Sequence, residues 1–188
     1  MAGTSLEDQL LGKGLELLGP CTELSHRPDL LLQSAVLRDF TPAEADLLGA
    51  SMQMVRARPG QLLIAEDEAS DWMMLLLRGT VDVGKRRIGA LDSTHEADVT
   101  RLAVLKEGAV LGEMSMLDGE PRFASCWALS EVEAAVLSRA AVAGLIAAHP
   151  GVGAKLLVKL TQLLAQRLRN TSNQLVKALR THLPDANA

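Results

Sequence analysis

Aromatic residues are nearly missing from this chain: its 188 residues hold two Trp, two Phe and no Tyr. That scarcity removes the stacking platforms on which single-stranded nucleic acid is held. Cysteine is scarce too. Cys21 and Cys126 stand far apart, match no metal or redox spacing, and read as buried, inert thiols. Long hydrophobic runs are missing as well, since Trp72 to Leu77 falls well short of a membrane span. The N-terminus has no basic start followed by a continuous apolar core, so no secretory signal is expected. A cytoplasmic location without membrane attachment follows.

Acidic residues are the last thing missing, and only locally. From Gly151 to Leu183 there are six basic residues (Lys155, Lys159, Arg167, Arg169, Lys177, Arg180) and no Asp or Glu. The overall net charge is -4, which gives no electrostatic footprint for nucleic acid. A basic segment on an otherwise acidic chain could meet phosphate, an anionic partner or the protein's own acidic surface. The sequence leaves those three open.

What is present is a well-filled chain, 48% hydrophobic, of a length suited to one cored domain plus an appendage. The first forty residues read as helical. Leu6, Leu10, Leu11, Leu15 and Leu18 recur at roughly helical spacing until Gly19-Pro20, and a second short helix is expected from Asp29 to about Leu37. Thr41-Pro42-Ala43-Glu44 is a helix start, with Thr41 as N-cap, Pro42 at the first helical position and Glu44 closing a capping box. That helix is expected to reach about Met52.

From Met54 to Leu137 short apolar segments alternate with turn signals. Strands are expected at Met54–Arg58, Leu62–Ala65, Trp72–Leu77, Thr80–Arg87, Val99–Leu105, Ser125–Ala128 and Glu133–Ser138. Ile88 to Asp98 reads as a hairpin loop with His95 exposed. The spacing argues for an antiparallel sandwich or barrel. A small helix, Ala140 to Ala148, is then ended by His149-Pro150, where His149 stands alone and needs no catalytic role.

The stretch from about Gly153 to Leu179 reads as one long helix of about 40 Å. Leu157, Leu160, Leu164, Leu168, Thr171, Leu175 and Leu179 follow a spacing close to a coiled-coil seam. Such a helix is longer than a domain of this size covers, which favours self-association.

The densest chemistry lies between Gly112 and Ser125. A strand ending at Leu111, a glycine and a helical turn from Glu113 to Leu117 leave N–H groups that suit an anion. Arg122 lies where it can fold back over that turn with a fixed fork of donors. Ser125 and the amides of Phe123 and Ala124 could complete a cradle. The plain alternative is a surface Glu–Arg pair of small consequence.

Leu111-Gly112-Glu113-Met114-Ser115-Met116 followed by Pro121-Arg122-Phe123-Ala124-Ser125 resembles the phosphate-binding cassette of the cyclic nucleotide-binding domain family. Arg58-Pro59-Gly60, Glu66-Asp67 and Leu77-Arg78-Gly79-Thr80-Val81-Asp82-Val83 resemble the family's upstream segments, in the right order. The similarity runs from about Leu37 to Leu179. It implies a mostly β fold: an antiparallel, jelly-roll-like β-roll with N-terminal helices and a long C-terminal helix closing over the base. The division it implies is an N-terminal helical extension (1–36), the nucleotide-binding roll (37–150) and a lid and dimerisation helix with a short tail (151–188).

The resemblance also implies roles. Glu113 would hold the ribose 2′-hydroxyl and Arg122 the cyclic phosphate, while Gly112 lets the backbone approach the sugar. Met114 and Ser115 belong to the same ligand-binding turn, and Phe123, Ala124 and Ser125 to its phosphate end. From the final helix Arg167, Thr171 and Ser172 lie in the stretch that meets the base, in the family often from both subunits of a dimer. Phe123 stands where the family has a small residue. Members selective for cyclic GMP often carry Thr there, so its absence tilts the expectation towards cyclic AMP, with cyclic GMP as the other regulatory ligand.

The expected function is thus a non-enzymatic sensor whose C-terminal helix responds to a cyclic nucleotide and mediates contacts in a homodimer or with an unidentified protein partner. The alternative is a ligand-free structural or interaction domain of the same fold, with Phe123 filling the pocket. No clustered metal set or nucleophile–base motif points to an enzyme. No helix-turn-helix, kinase, channel or exchange-factor domain is expected in the residues beyond Leu179. Arg122 is expected to serve the ligand and not the core, so that its loss would leave folding nearly untouched.

Overall fold

The structure, a computed structural model, describes residues 5–86 and 99–182. The expected hairpin over 88–98, with His95, lies outside the described residues, as do Leu183 and Pro184. The apolar texture of the middle of the chain resolves into two antiparallel sheets. One has five strands in the order β1 (Glu16–Pro20), β2 (Gln53–Ala57), β9 (Val132–Ser138), β4 (Trp72–Arg78) and β7 (Val110–Leu111). The other runs β3 (Leu62–Ile64), β8 (Ser125–Ala128), β5 (Thr80–Arg86) and β6 (Val99–Lys106). The fold is the expected β-roll with helices at both ends.

The unbroken apolar run of β4 has a direct reason. Side chains alternate across a strand, and both faces of this one are covered. Trp72, Met74 and Leu76 point into the core between the sheets with Val81, Val136 and Cys126. Met73, Leu75 and Leu77 point the other way, into a core built with the helices. The neighbouring β9 divides in the same way, Ala134 and Val136 to one core and Ala135 and Leu137 to the other. A strand buried on both faces loses the polar alternation of a half-exposed one.

The helices are α1 (Leu6–Gly12), α2 (Pro28–Gln33), α3 (Pro42–Ala50), α4 (Glu113–Asp118), α5 (Arg139–Ala148) and α6 (Pro150–His182). The capping box that opens α3 is formed: Thr41 N–H donates to the Glu44 carboxylate at 2.8 Å and Glu44 N–H to the Thr41 hydroxyl at 3.3 Å. The helical expectation for the first forty residues is corrected. α1 stops at Gly12, Gly14 turns the chain at φ +72°, and Leu17 and Leu18 belong to β1, which pairs with β2. Helical spacing of leucines across that turn is coincidental.

α6 is longer than expected at its start, because Pro150 occupies a first-turn position and carries the helix through Gly151 and Gly153. Its two halves differ. Val152, Leu156 and Leu160 enter the helix-side core with Leu163 packed against it, and two ion pairs fasten the same half. Lys155 reaches the Glu44 carboxylate at 2.6 Å, and Lys159 pairs with Asp39. Beyond them Leu168 is 67% exposed, and Leu175, Val176 and Leu179 are exposed as well. The apolar seam read from sequence is therefore shared. Leu160 closes the protein's own core, and the distal leucines face outward.

Candidate functional site

The site is built on the β7–α4 junction and on the segment that leads into β8. β7 pairs with Met74 and Leu75 of β4, and Gly112 follows in a left-handed conformation (φ +75°) as the N-cap of α4. Only glycine suits this position twice over. Positive φ is costly for other residues, and a Cβ would lie 2.4 Å from Arg122 Nη1. Glu113 and Ser115, on the turn that follows, are buried.

Arg122 arrives from the opposite side. Its backbone is clamped to the Glu66–Glu68 turn: Arg122 N–H donates to Glu68 O and Asp67 N–H to Arg122 O, each at 2.9 Å. Its side chain is 2% exposed. Nη1 donates to Gly112 O and Nη2 to Trp72 O, both at 2.6 Å, and the guanidinium lies 4.3 Å from the Trp72 ring centre. Nε is buried with no partner among the described residues. Among the described residues Arg122 forms no ion pair. Desolvation pulls its pKa below the ordinary arginine value, opposed chiefly by the charge of Glu68. This corrects the expectation that Arg122 stands apart from the core: it is one of the largest fully buried side chains.

Glu113, 2% exposed, has a different partner. Its carboxylate pairs with Arg167 Nη1, and Arg167 Nη2 donates to Val110 O at 2.7 Å. The fifth turn of α6 is thereby fastened to both ends of the β7–α4 junction. Arg139, the first residue of α5, donates to Ser115 O at 2.8 Å and Met116 O at 2.7 Å, satisfying carbonyls at the end of α4. The cassette turn is thus linked by arginines to both C-terminal helices.

These groups border a cavity of about 120 Å³. Gly112, Glu113, Ser115, Arg122 and Arg167 form its charged end, and Met114, Phe123 and Ala124 also line it. Ser125 does not. Its hydroxyl accepts from Glu66 N–H at 2.9 Å, and its backbone pairs with Gly84 across β8 and β5. Thr171 and Ser172 lie a turn beyond Arg167, exposed and outside the cavity lining. Phe123 sits at the mouth, 55% exposed, and does not fill the pocket. Trp72, Arg139 and the ion-pair role of Arg167 carried no signal in the sequence, since nothing local joins position 72 to 122 or 113 to 167.

Residues 54–149 match the family model described as the cyclic nucleotide-binding domain. The chain belongs to that family. It is similar to a cyclic nucleotide-binding domain from Methylobacillus flagellatus, 32% identical, with a TM-score of 0.75 and 92% of each chain covered. It is also similar to the catabolite activator protein of Thermus thermophilus, 26% identical with a TM-score of 0.66, covering 80% of this chain and 73% of that one. Among curated proteins it resembles the CRP-like cAMP-activated global transcriptional regulator of Mycobacterium tuberculosis, 28% identical over 156 residues. That match takes in 83% of this chain, which spans 65% of the relative's length. By their names the last two are an activator and a regulator. Among the described residues no helix is long and apolar enough to cross a membrane.

Two outcomes follow from the site's construction. Arg122→Ala removes the donors of two buried carbonyls and opens a void, so the ligand-free protein should lose about 2–4 kcal/mol of stability. An unchanged urea midpoint would show that the buried guanidinium is not structural. The Cys126 thiol, on the cavity lining, is pushed up to about 12, first by desolvation, so the folded protein keeps its proton where the unfolded chain has lost it. Its contribution is whole below about pH 9 and is lost as pH rises towards 12. Cys126→Ala should flatten the alkaline fall in stability. Part of the fall will persist, because burial raises the Cys21 thiol as well.

Proposed function

We propose that the chain is a non-enzymatic sensor that binds a cyclic nucleotide, cyclic AMP before cyclic GMP, in the cavity that Gly112, Glu113 and Arg122 border. The observation that carries this reading is Arg122: among the described residues, a buried cation with no carboxylate paired to it and one N–H unsatisfied. Burying a charge unpaired is costly, and an anionic cyclic phosphate beside Gly112 would supply the missing counter-charge. Glu113, acceptor-only and buried within the same turn, suits a ribose hydroxyl. The name of the mycobacterial relative, which calls it cAMP-activated, supports the choice of base.

Glu113 is already held by Arg167, so a ribose hydroxyl has to share that carboxylate or displace the arginine. Occupancy is thereby coupled to the seating of α6, and the ligand shifts its position by the difference in affinity for the two arrangements. The exposed leucines of distal α6 would form the seam of a homodimer, in which Thr171 and Ser172 approach a nucleotide from this chain or its partner. A cytoplasmic sensor fits this reading. A ligand-free interaction domain is the second reading, favoured by one fact: Arg122 and Glu113 both have partners within the protein.

Calorimetry on nucleotide-stripped protein separates the two. The parent should bind cyclic AMP, and Glu113→Gln should weaken it while narrowing the preference over the 2′-deoxy analogue. Arg122→Ala should cost about 2–5 kcal/mol of binding, roughly 30- to 5000-fold, and Arg122→Lys should recover only part of that loss. Hydrogen exchange across residues 167–182 should respond to nucleotide in the parent and no longer do so in Arg167→Gln. Absence of binding to either nucleotide at about 1 mM would sink the sensor reading.

A further inference from the structure

Beyond its charged end, the cavity has a wall of uniform chemistry. Val83 of β5, Leu102 and Leu105 of β6, and Ala124 offer it no polar side-chain atom. At its mouth stands Phe123, more than half exposed in a chain with only four aromatic residues. The ring is nevertheless fixed. Lys85 Nζ lies 4.3 Å from its centre, donates to Phe123 O at 2.7 Å, and is itself anchored on the Glu66 carboxylate at 3.0 Å. Glu66 is anchored in turn by the N–H of Arg86 at 2.9 Å. One ammonium thus pins both the backbone and the ring at position 123. It can cover only one face of that ring.

We propose that Phe123 is the base-recognition residue of this site, a preformed platform for the heterocycle that makes the site selective for purine cyclic nucleotides. The inference rests on the sensor reading above. Glu113 and Arg122 are committed to the ribose and phosphate, so that within the cavity the base meets the apolar wall and the ring, with Thr171 and Ser172 outside its lining. Stacking on an aromatic face grows with overlap and tolerates any base, so two fused rings gain more than one. The wall supplies no side-chain donor or acceptor for the extra amino and carbonyl groups of guanine. Groups buried without partners there are penalised, so adenine is favoured among purines. An aromatic residue held at the mouth by a cation–π contact also loses little freedom when the base arrives.

The test is calorimetry of the full chain and of Phe123→Ala and Phe123→Tyr with cyclic AMP, cyclic GMP and cyclic CMP. The parent should bind cyclic AMP at least about 10-fold more tightly than cyclic CMP. Phe123→Ala should weaken cyclic AMP by about 5- to 100-fold and cyclic CMP far less, while Phe123→Tyr keeps the parent's order. The urea midpoint of Phe123→Ala should stay near the parent's, since the ring is exposed, which separates lost recognition from lost folding. If Phe123→Ala keeps the parent's affinities and Glu113→Gln still weakens them, the platform is overturned and the sensor reading stands. If the parent binds none of the three at about 1 mM, both fall.

Discussion

Much of this structure hangs on one buried cation. The Arg122 guanidinium joins the carbonyl of Trp72, where β4 begins, to that of Gly112, where β7 gives way to α4. Its backbone is bonded to the Glu66–Glu68 turn, which follows β3. Three separate stretches of chain are fixed relative to one another by a single residue. The left-handed glycine follows from that constraint: the donor needs the space a Cβ would take, and the turn needs a φ that only glycine adopts cheaply. Charge-assisted bonds to carbonyls are strong, but they leave the net charge uncompensated. A structure arranged so is stable and still able to gain from an anion.

The acid-free C-terminal helix makes sense on the same grounds. Of the three partners left open by sequence, the protein's own acidic surface takes the proximal half: Lys155 with Glu44, Lys159 with Asp39, Arg167 with Glu113. These contacts are unequal. The Glu44 pair has both members partly exposed to water, where such pairs contribute little. Glu113 is shielded, so its pairing with Arg167 is the one that separation would penalise. Of the three, it is also the pair whose carboxylate a ligand hydroxyl would compete for.

How far the sequence discloses this depends on whether the causes are local. The capping box at Thr41 and Glu44, the turn Gly112–Glu113 and the strands from Met54 to Ser138 are set by neighbours in the chain, and they were legible. β1 was not, because leucine spacing ran on across Gly14 and mimicked a helix. Leu17 obeys its pairing with Val55 of β2, a constraint thirty-eight residues away. The residue types of the cassette were legible while their bonds were not. Spacing brings Arg122 near Glu113, but only the packed fold turns the guanidinium onto Trp72 O and gives Glu113 to Arg167. Buried hydrogen bonds between distant segments leave no periodicity to read.

This division of labour alters what each residue of the pair can testify to. Arg122 holds strands and turn together through its two carbonyl bonds, while its charge stays without a carboxylate among the described residues and so leaves a place for an anion. Glu113 is different. Its side chain makes no bond to β4 or β9, and its partner Arg167 also donates to Val110, so a neutral, apolar residue at 113 would leave that second bond intact. A carboxylate taken out of water and then matched to a single arginine gains little for stability. Its presence is better explained by an acceptor role towards a hydroxyl-bearing ligand than by the needs of the fold. The acidic member thus adds to the case that the uncompensated charge of the basic one makes for a sensor, while the scaffold draws on the basic one alone.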